Sequence, residues 1–231
     1  MSFLKNFFNK LKVNFFYNWF NNINYEITIK NTLKYYFLFN ILPKKKKYNI
    51  VECGVGAGES LSFIVLIAKL LKIDFHVWAF DSFEGFPNAT LEDKGKYAPG
   101  KIKPIYMNYN IDFVKTRMKK YGLTEEDINK NVTFVKGFFP ESFVNYNKKS
   151  IDLLHLDVDL YNSYKSCLSF FWPFLDIKSI ILLDEYKSIS DLHKWPGASK
   201  AIDEFFKEKK ISLSVIQQEP IFKKYYFIKN E

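Results

Sequence analysis

Apolar and polar positions alternate along this chain in two periods, and the regular alternation of the two begins at Tyr48. Short apolar runs bounded by turn residues predict strands, whereas apolar residues spaced three or four apart predict helices. The predicted strands are Tyr48–Cys53, Phe75–Asp81, Val132–Gly137, Ile151–Asp157, Ser179–Asp184, Ser212–Gln217 and Phe222–Ile228. The predicted helices are Ser60–Leu71, Asp112–Tyr121, a short one with a Thr124/Asp127 capping box, Tyr161–Leu175 and Ser199–Lys210.

This order of elements predicts an α/β fold. Five strands that alternate with helices predict a mostly parallel, Rossmann-like sheet with right-handed crossovers and helices on both faces. The last two strands are separated only by the short link Gln218–Ile221 and predict an antiparallel hairpin, which brings the sheet to seven strands.

The first 45 residues differ from the rest of the chain and are predicted to form a basic, aromatic-rich helical extension to a domain of residues 46–231. Residues 1–50 hold nine lysines and one acid, Glu26, whereas the remainder carries 25 basic and 24 acidic side chains. The nearly neutral domain argues against nucleic-acid binding. Apolar residues recur at helical spacing near the N-terminus. This pattern favours packing on the domain or on a second subunit of a homo-oligomer, and the alternative is peripheral contact of residues 1–20 with an anionic membrane.

The lack of recognisable targeting signals favours a cytoplasmic protein. Any peripheral membrane contact would then be with the inner face of the membrane. No uncharged apolar run reaches the roughly 18 residues of a spanning helix, and the N-terminus lacks a signal-peptide pattern. Cys53 and Cys167 lie in apolar segments without a disulfide-like or metal-like spacing, as expected in a reducing compartment.

The stretch Val51–Ser60 places three glycines at alternate positions between a strand and a helix. Such loops let a nucleotide-type cofactor approach the backbone closely. Glu52 and Glu59 flank the glycines, and no lysine or arginine lies between Lys47 and Lys69. Carboxylates would repel a pyrophosphate, so the loop favours a cofactor with hydroxyls, an ammonium or a sulfonium, such as S-adenosylmethionine.

Four predicted strands end in acids, at the edge where parallel sheets bind ligands: Glu52, Asp81, Asp157 and Asp184. Asp81 ends the second strand, where a carboxylate can accept hydrogen bonds from the two hydroxyls of a ribose. Adjacent strand ends would bring Asp157 close to Asp184 and Glu185, where three carboxylates need a proton or a cation between them. Hard oxygen ligands favour Mg²⁺ or Ca²⁺. The structural alternative is helix capping by Asp159 together with ordinary loop acids.

Three histidines add little to this site. His76 and His155 lie inside predicted strands and are expected to be core residues. His193, beside Trp195 in the loop 186–198, could touch substrate or act as a base.

Five segments occur in an order that resembles the macrocin O-methyltransferase family, whose studied members methylate sugar hydroxyls on macrolide antibiotics. The segments are Val51–Ser60, Trp78–Pro87, Lys136–Phe143, His155–Tyr161 and Leu182–Tyr186. The resemblance spans about residues 48–210. It implies a class I methyltransferase fold, S-adenosylmethionine as methyl donor, and a Mg²⁺-dependent O-methyltransferase acting on a sugar or glycoconjugate hydroxyl.

The resemblance also implies roles for individual residues. The expected contacts of the methionine part of the cofactor are Glu52, Gly54, Gly56 and Ser60; those of the ribose are Asp81 and Ser82, and those of the adenine are Gly137 and Phe138. The expected metal ligands are Asp157, Asp184 and Glu185, with Asp157 also the general base. The family more commonly has two aspartates where this chain has Asp184 and Glu185. The expected substrate contacts in the flanking loops are Phe83, Phe86, Tyr97, His193 and Trp195.

Two other functions fit the same sheet. One is an NAD-dependent Rossmann oxidoreductase, against which the acids beside the glycines and the acid cluster argue. The other is a non-catalytic, methyltransferase-like scaffold docked through its N-terminal helices. Intact glycines and acids favour an enzyme whose acceptor is a small molecule or a glycan.

Overall fold

The computed structural model describes residues 25–94, 109–147, 149–187 and 194–230, with the backbone alone for Tyr25. Seven strands form one sheet: β1 Tyr48–Cys53, β2 Phe75–Asp81, β3 Val132–Lys136, β4 Ile151–Leu156, β5 Leu175–Leu183, β6 Gln217–Gln218 and β7 Tyr225–Ile228. Their order is β3-β2-β1-β4-β5-β7-β6. Strands β1 to β5 pair in parallel, and β7 runs antiparallel to both β5 and β6. The predicted α/β sheet with a closing hairpin is confirmed.

The helices of the described residues cover both faces of the sheet. They are α1 Tyr25–Ile41, α2 Glu59–Leu70, α3 Ile111–Lys120, α4 Glu125–Asn131, α5 Tyr161–Phe171 and α6 Pro196–Glu208, with short 3-10 helices at Glu141–Asn145, Trp172–Phe174 and Leu213–Val215. Helix α6 starts three residues before the prediction, because Pro196 occupies its first turn, where a missing N–H costs nothing. The capping box of α4 between Thr124 and Asp127 is present as predicted.

The core has two layers, one on each face of the sheet. Helices α1 to α4 pack on one face and α5 and α6 on the other. Helix α2 is buried along the whole of Leu61–Ala68, in agreement with its uniformly apolar sequence. Apolar burial on both faces explains why the central strands read as continuous apolar runs.

Helix α1 lies before the predicted domain start at residue 46, yet it packs on the domain. Tyr35, Leu38 and Phe39 are buried in the same core layer as α2. No described helix is both long enough and apolar enough to cross a membrane. Residues 1–20, predicted to form a basic amphipathic helix, lie outside the described residues.

The closing hairpin is shorter than its alternating pattern predicts. The prediction of a strand over Ser212–Gln217 is wrong for most of its length, because the Ser212 hydroxyl accepts a bond from the Ser214 amide and the chain turns there. Strand β7 begins at Tyr225, three residues late. The buried Glu219 carboxylate accepts hydrogen bonds from three backbone amides in the residues just before β7. These are the amides of Ile221, Phe222 and Lys224, at 2.6, 2.7 and 3.0 Å.

Candidate active site

A cavity of about 650 Å³ opens at the carboxyl ends of β1 to β5. This is the edge at which open parallel sheets bind ligands, and the volume suits a cofactor-sized molecule. It is lined by most of the residues expected from the sequence: Gly54, Gly56, Ser60, Asp81, Ser82, Phe83, Phe86, Gly137, Phe138, Asp157, Asp184, Glu185 and Trp195. The glycine loop and the acid cluster therefore face one shared space.

The glycines of the loop have different physical roles. Gly54 has φ +83°, and a Cβ there would lie 1.8 Å from the carbonyl oxygen of Asp157. This glycine therefore lets β1 and β4 end side by side. Gly56 has φ +50°, and a Cβ there would meet nothing within 4 Å. Its bare backbone faces open space in the cavity, as a close approach of a ligand requires.

Asp81 is fixed by backbone amides at the end of β2. Its Oδ2 accepts bonds from the amides of Val55 and Gly56 at 2.8 and 2.9 Å, and Oδ1 accepts from Phe83 at 2.8 Å. The carboxylate thereby ties the glycine loop to the neighbouring loop. Ser82 turns its hydroxyl to the Gly85 carbonyl at 2.5 Å, so it shapes the same loop.

Glu52, an expected cofactor contact, is fully buried inside the sheet and is absent from the cavity lining. Its Oε1 lies 2.9 Å from Nδ1 of His155 on β4, the strand beside it. The other side of that ring faces Asp184, with Nε2 4.0 Å from Oδ1. Burial disfavours the imidazolium, but Asp184 and Glu52 on either side of the ring together raise the pKa of His155 to about 9. His155 is thus a core residue whose ring lies between two carboxylates.

The acids of β4 and β5 are held next to each other by the sheet itself. The Asp157 amide donates to the Cys53 carbonyl oxygen and the Asp184 amide donates to the Leu156 carbonyl oxygen, each at 3.0 Å. The hydrogen bonding of β1 with β4 and of β4 with β5 therefore continues one residue past the strands. Lys224 of the closing hairpin reaches Asp184 with Nζ 2.8 Å from Oδ2. The hairpin therefore supplies the counter-charge of one acid.

The two acids that directly follow β5, Asp184 and Glu185, have pKa values shifted in opposite directions. Burial would raise the pKa of Asp184, but His155, Lys224 and Lys34 outweigh it and hold that pKa well below its usual range. Burial, together with the charge of Asp157, raises the pKa of Glu185 well above its usual range.

Tyr164 shows where the proton of Glu185 can rest. Its hydroxyl lies 2.5 Å from Glu185 Oε2 and 3.0 Å from the Leu156 carbonyl oxygen. One hydroxyl proton cannot serve both acceptors, and a protonated Glu185 resolves this by donating to the tyrosine oxygen.

Asp157 belongs to two overlapping groups of oxygen and nitrogen donors. Burial, and then the charge of Asp184, raises the pKa of Asp157 to about 6. Its carboxylate lies within 4.8 Å of ligand atoms of His155 and Asp184 on one side, and of Asp159 and Glu185 on the other. Asp157 is common to both groups, whereas the other two expected ligands, Asp184 and Glu185, belong to different groups.

Helix α5 receives a cap from a distant part of the chain. Its N-cap residue, Leu160, offers no side-chain acceptor, and the first amide of the helix, that of Tyr161, donates to Asp93 Oδ1 at 2.7 Å. The buried Asp93 also accepts from Thr90 at 2.8 Å, and a Cβ on Gly197 would lie 2.1 Å from it. Asp93 therefore fastens the loop after β2 to the starts of α5 and α6.

Aromatic side chains form the outer wall of the cavity. Phe86 stacks on Trp195 with ring centroids 5.6 Å apart. Phe83 is buried against Phe134 and serves the core as much as the cavity. Two other expected substrate contacts, Tyr97 and His193, lie outside the described residues.

Several cavity residues were not predicted from the sequence. Helix α1 contributes Ile27, Asn31 and Lys34, helix α3 contributes Arg117, and the closing hairpin contributes Phe222 and Lys224. Asn31 donates to Glu59 Oε1 at 3.1 Å, and Arg117 lies 3.0 Å from Oε2 of the same residue. Lys34 is one of two lysines in α1, and the sequence does not distinguish it from Lys30.

The chain resembles several proteins of known activity over part of its length. It is 24% identical over 143 residues to mycinamicin III 3''-O-methyltransferase of Micromonospora griseorubida, which is 60% of this chain and 55% of that protein. It is 23% identical over 163 residues to demethyldecarbamoylnovobiocin O-methyltransferase of Streptomyces niveus, which is 68% and 57%. The chain therefore spans little more than half the length of these relatives.

Solved structures share the fold at low sequence identity. The O-methyltransferase NovP matches with a TM-score of 0.69 at 21% identity, over 88% of this chain and 81% of that one. The calicheamicin methyltransferase CalS11 matches with a TM-score of 0.67 at 20% identity, over 88% and 80%. The model of the macrocin-O-methyltransferase family matches residues 39–223, which include every strand but β7 and all of the glycine loop and the acid cluster. The chain belongs to the macrocin O-methyltransferase family.

Proposed function

We propose that this protein is an S-adenosylmethionine- and Mg²⁺-dependent O-methyltransferase whose acceptor is a hydroxyl of a sugar or glycoconjugate. The observation that carries the proposal is that an open glycine loop and a cluster of desolvated carboxylates face the same cavity. A further relative, 24% identical over 144 residues, is 8-demethyl-8-(2,3-dimethoxy-alpha-L-rhamnosyl)-tetracenomycin-C 4'-O-methyltransferase of Streptomyces olivaceus, and the rhamnosyl group in its name supports the acceptor class.

The cavity fits the proposed donor. The open backbone at Gly56 admits a flat or extended ligand, and Asp81 lies at the strand end where ribose hydroxyls bind in related sheets. Gly137 and Phe138 line the cavity beyond Asp81, at the end of β3, in the position proposed for adenine. When bound, the donor supplies a sulfonium methyl group that is already activated for transfer.

The acid cluster fits a hard divalent cation. Its acidic members offer carboxylate oxygens, the ligands that Mg²⁺ prefers, and burial together with the neighbouring carboxylates raises the pKa values of Asp157 and Glu185. Asp157, Asp184 and Glu185 would hold the ion, with Asp159 close by. When bound, Mg²⁺ would lower the pKa of a coordinated hydroxyl.

The residues of the chain would align the acceptor and remove its proton. Asp157, the first residue beyond β4, would accept the proton of the acceptor hydroxyl. The stacked Phe86 and Trp195 would position a sugar ring and exclude water from the outer side of the cavity.

Binding and turnover together test the proposal. Calorimetry with S-adenosylhomocysteine and with NAD separates the methyltransferase from an oxidoreductase, since the proposal requires binding of the first and none of the second. Methyl transfer to a panel of sugar diols, with Mg²⁺ and with EDTA, then tests the chemistry. Binding of S-adenosylhomocysteine without metal-dependent transfer to any hydroxyl would favour the scaffold alternative.

The proposal extends to where the protein works. A cytoplasmic enzyme fits this chemistry, and the basic residues 1–20 remain a prediction of peripheral membrane contact. Co-sedimentation with anionic vesicles, for the full chain and for a chain lacking residues 1–20, tests that contact, and equal binding by both would contradict it.

A further inference from the structure

Lys34 is a buried cation on the wall of the cavity. It lies on α1, is 5% exposed, and lines the cavity beside the closing hairpin. Its Nζ lies 4.6 Å from the ring centroid of Tyr35 and 5.2 Å from that of Phe222. Within the described residues it makes no ion pair with a carboxylate. Aromatic faces compensate only part of the cost of burying an ammonium, so this position favours an anionic ligand.

The other cations that line the cavity, among the described residues, either pair with a carboxylate or are more exposed than Lys34. Arg117 pairs with Glu59 at 3.0 Å and Lys224 with Asp184 at 2.8 Å. Lys194 lies over the ring of Trp195 at 5.1 Å and is only partly buried. Lys34 is therefore the cation with the most to gain from an incoming negative group.

The position of Lys34 indicates which part of a ligand it meets. Asn31, one turn earlier on α1, bonds to Glu59 at the first residue of α2, directly after the glycine loop. On its other side, Lys34 lies against Phe222 of the closing hairpin, whose Lys224 pairs with Asp184 of the acid cluster. Lys34 thus lies between the end of the glycine loop and the acid cluster.

The amino-acid end of a methyl donor bound in this cavity would reach the position of Lys34. Its nucleoside would lie over β2 and β3, and its methyl group must face Asp157 at the end of β4. The amino-acid tail is then left for the side covered by α1, next to Ser60. That tail carries a carboxylate, which requires donors or a cation when it leaves water.

We propose that Lys34 binds the α-carboxylate of the methionine end of S-adenosylmethionine, which makes α1 a part of the cofactor site. This assignment rests on the proposed function. It places one wall of the cofactor site in a segment that precedes the matched residues 39–223 of the family model.

A comparison of two donor molecules tests the assignment. Decarboxylated S-adenosylmethionine keeps the nucleoside, the sulfonium and the ammonium but lacks the carboxylate. Calorimetry measures the dissociation constants of both molecules for the wild-type protein, for Lys34→Met and for Lys34→Arg. We expect Lys34→Met to weaken S-adenosylmethionine binding about 10- to 100-fold, as for loss of a charge-assisted bond, and to leave the decarboxylated molecule within about twofold. Lys34→Arg should restore most of the preference.

The outcomes are distinct. If Lys34→Met keeps the wild-type preference for the carboxylated molecule, the assignment is wrong. It is equally wrong if the variant changes only the KM of the acceptor, because Lys34 would then serve an acidic acceptor. Unchanged binding of the decarboxylated molecule shows that the variant is folded. If the wild-type protein binds neither molecule, the proposed function itself fails, and this assignment fails with it.

Discussion

The cavity has two halves that are built in opposite ways. At the ends of β1 to β3, the Asp81 carboxylate is fully engaged by three backbone amides, and the glycine loop is set before any ligand arrives. At the ends of β4 and β5, the carboxylates of Asp157 and Glu185 face each other and the raised pKa of each reflects desolvation. One half is satisfied by the chain alone, and the other needs a proton or a cation.

This difference suggests that one half of the cavity serves to bind the donor and the other serves the chemical step. A preformed, internally bonded half loses little entropy when a donor binds. A half with strained electrostatics gains most from a cation and from an acceptor proton, which is what a site that deprotonates a hydroxyl requires. Substitutions in the two halves should therefore have separable effects.

The largest expected effect comes from Asp157→Asn. The variant loses the proposed base and one metal ligand, so we expect methyl transfer to fall about 1000-fold, while the affinity for S-adenosylhomocysteine stays within about twofold. Turnover assays and calorimetry measure the two quantities.

Asp81→Asn is the matched substitution in the other half. An amide there presents an N–H to one of the backbone amides, so S-adenosylhomocysteine should bind more weakly while Mg²⁺ affinity is unchanged. If both variants reduced both affinities equally, the separation of the two halves would be wrong.

Gly54→Ala should have the next largest effect, because this glycine joins the two halves. The new Cβ would lie 1.8 Å from the Asp157 carbonyl oxygen at φ +83°, so β1 and β4 must separate. We expect the free energy of unfolding to fall by about 3 kcal/mol. Gly56→Ala is the control, since its Cβ meets nothing, and it should cost about 1 kcal/mol from its left-handed backbone. Urea denaturation of both variants measures the difference, and equal losses would contradict the distinct roles.

A smaller effect is expected for Asp93→Ala, which releases the loop after β2 from α5. The amides of Thr90 and Tyr161 lose their acceptor, and the unfolding free energy should fall by about 2 kcal/mol. The aromatic wall moves with this loop, so the KM of the acceptor should rise while the affinity for S-adenosylhomocysteine holds. Glu92→Ala, which removes a partly exposed partner of Lys200, is the neighbouring control and should change neither quantity. An unchanged KM for Asp93→Ala would show that the loop does not depend on this bond.

The sequence predicted the fold and the preformed half well, because both follow from local pattern. Apolar runs, glycine spacing and acids at strand ends fix the sheet and the loop around Gly54 and Asp81. Other features depend on contacts between distant parts of the chain. Glu52 stands at a strand end like Asp81, but the imidazole of His155 on the next strand holds it inside the sheet. Asp93 lies between Glu92 and Lys94, and Lys34 shares its helix with Lys30, so the sequence does not single out either residue, and only the folded chain brings them to the site.

The smallest expected effect is a pH dependence that tells whether Glu185 is a ligand. The pKa of Asp157 is raised to about 6, so below pH 6 a proton on Asp157 competes with Mg²⁺, and this proton alone should lower the affinity about tenfold between pH 7 and pH 5. Asp184, with its lowered pKa, stays ionised over this range and adds nothing to the pH dependence of Mg²⁺ affinity.

Glu185 has a pKa well above its usual range. If it binds the metal, its proton must also leave, and affinity should continue to rise above pH 7. Calorimetric Mg²⁺ titrations of the wild-type protein and Glu185→Gln separate the cases. A wild-type curve that levels off at pH 7, matching that of Glu185→Gln, would limit the carboxylate ligands to Asp157, Asp184 and the nearby Asp159.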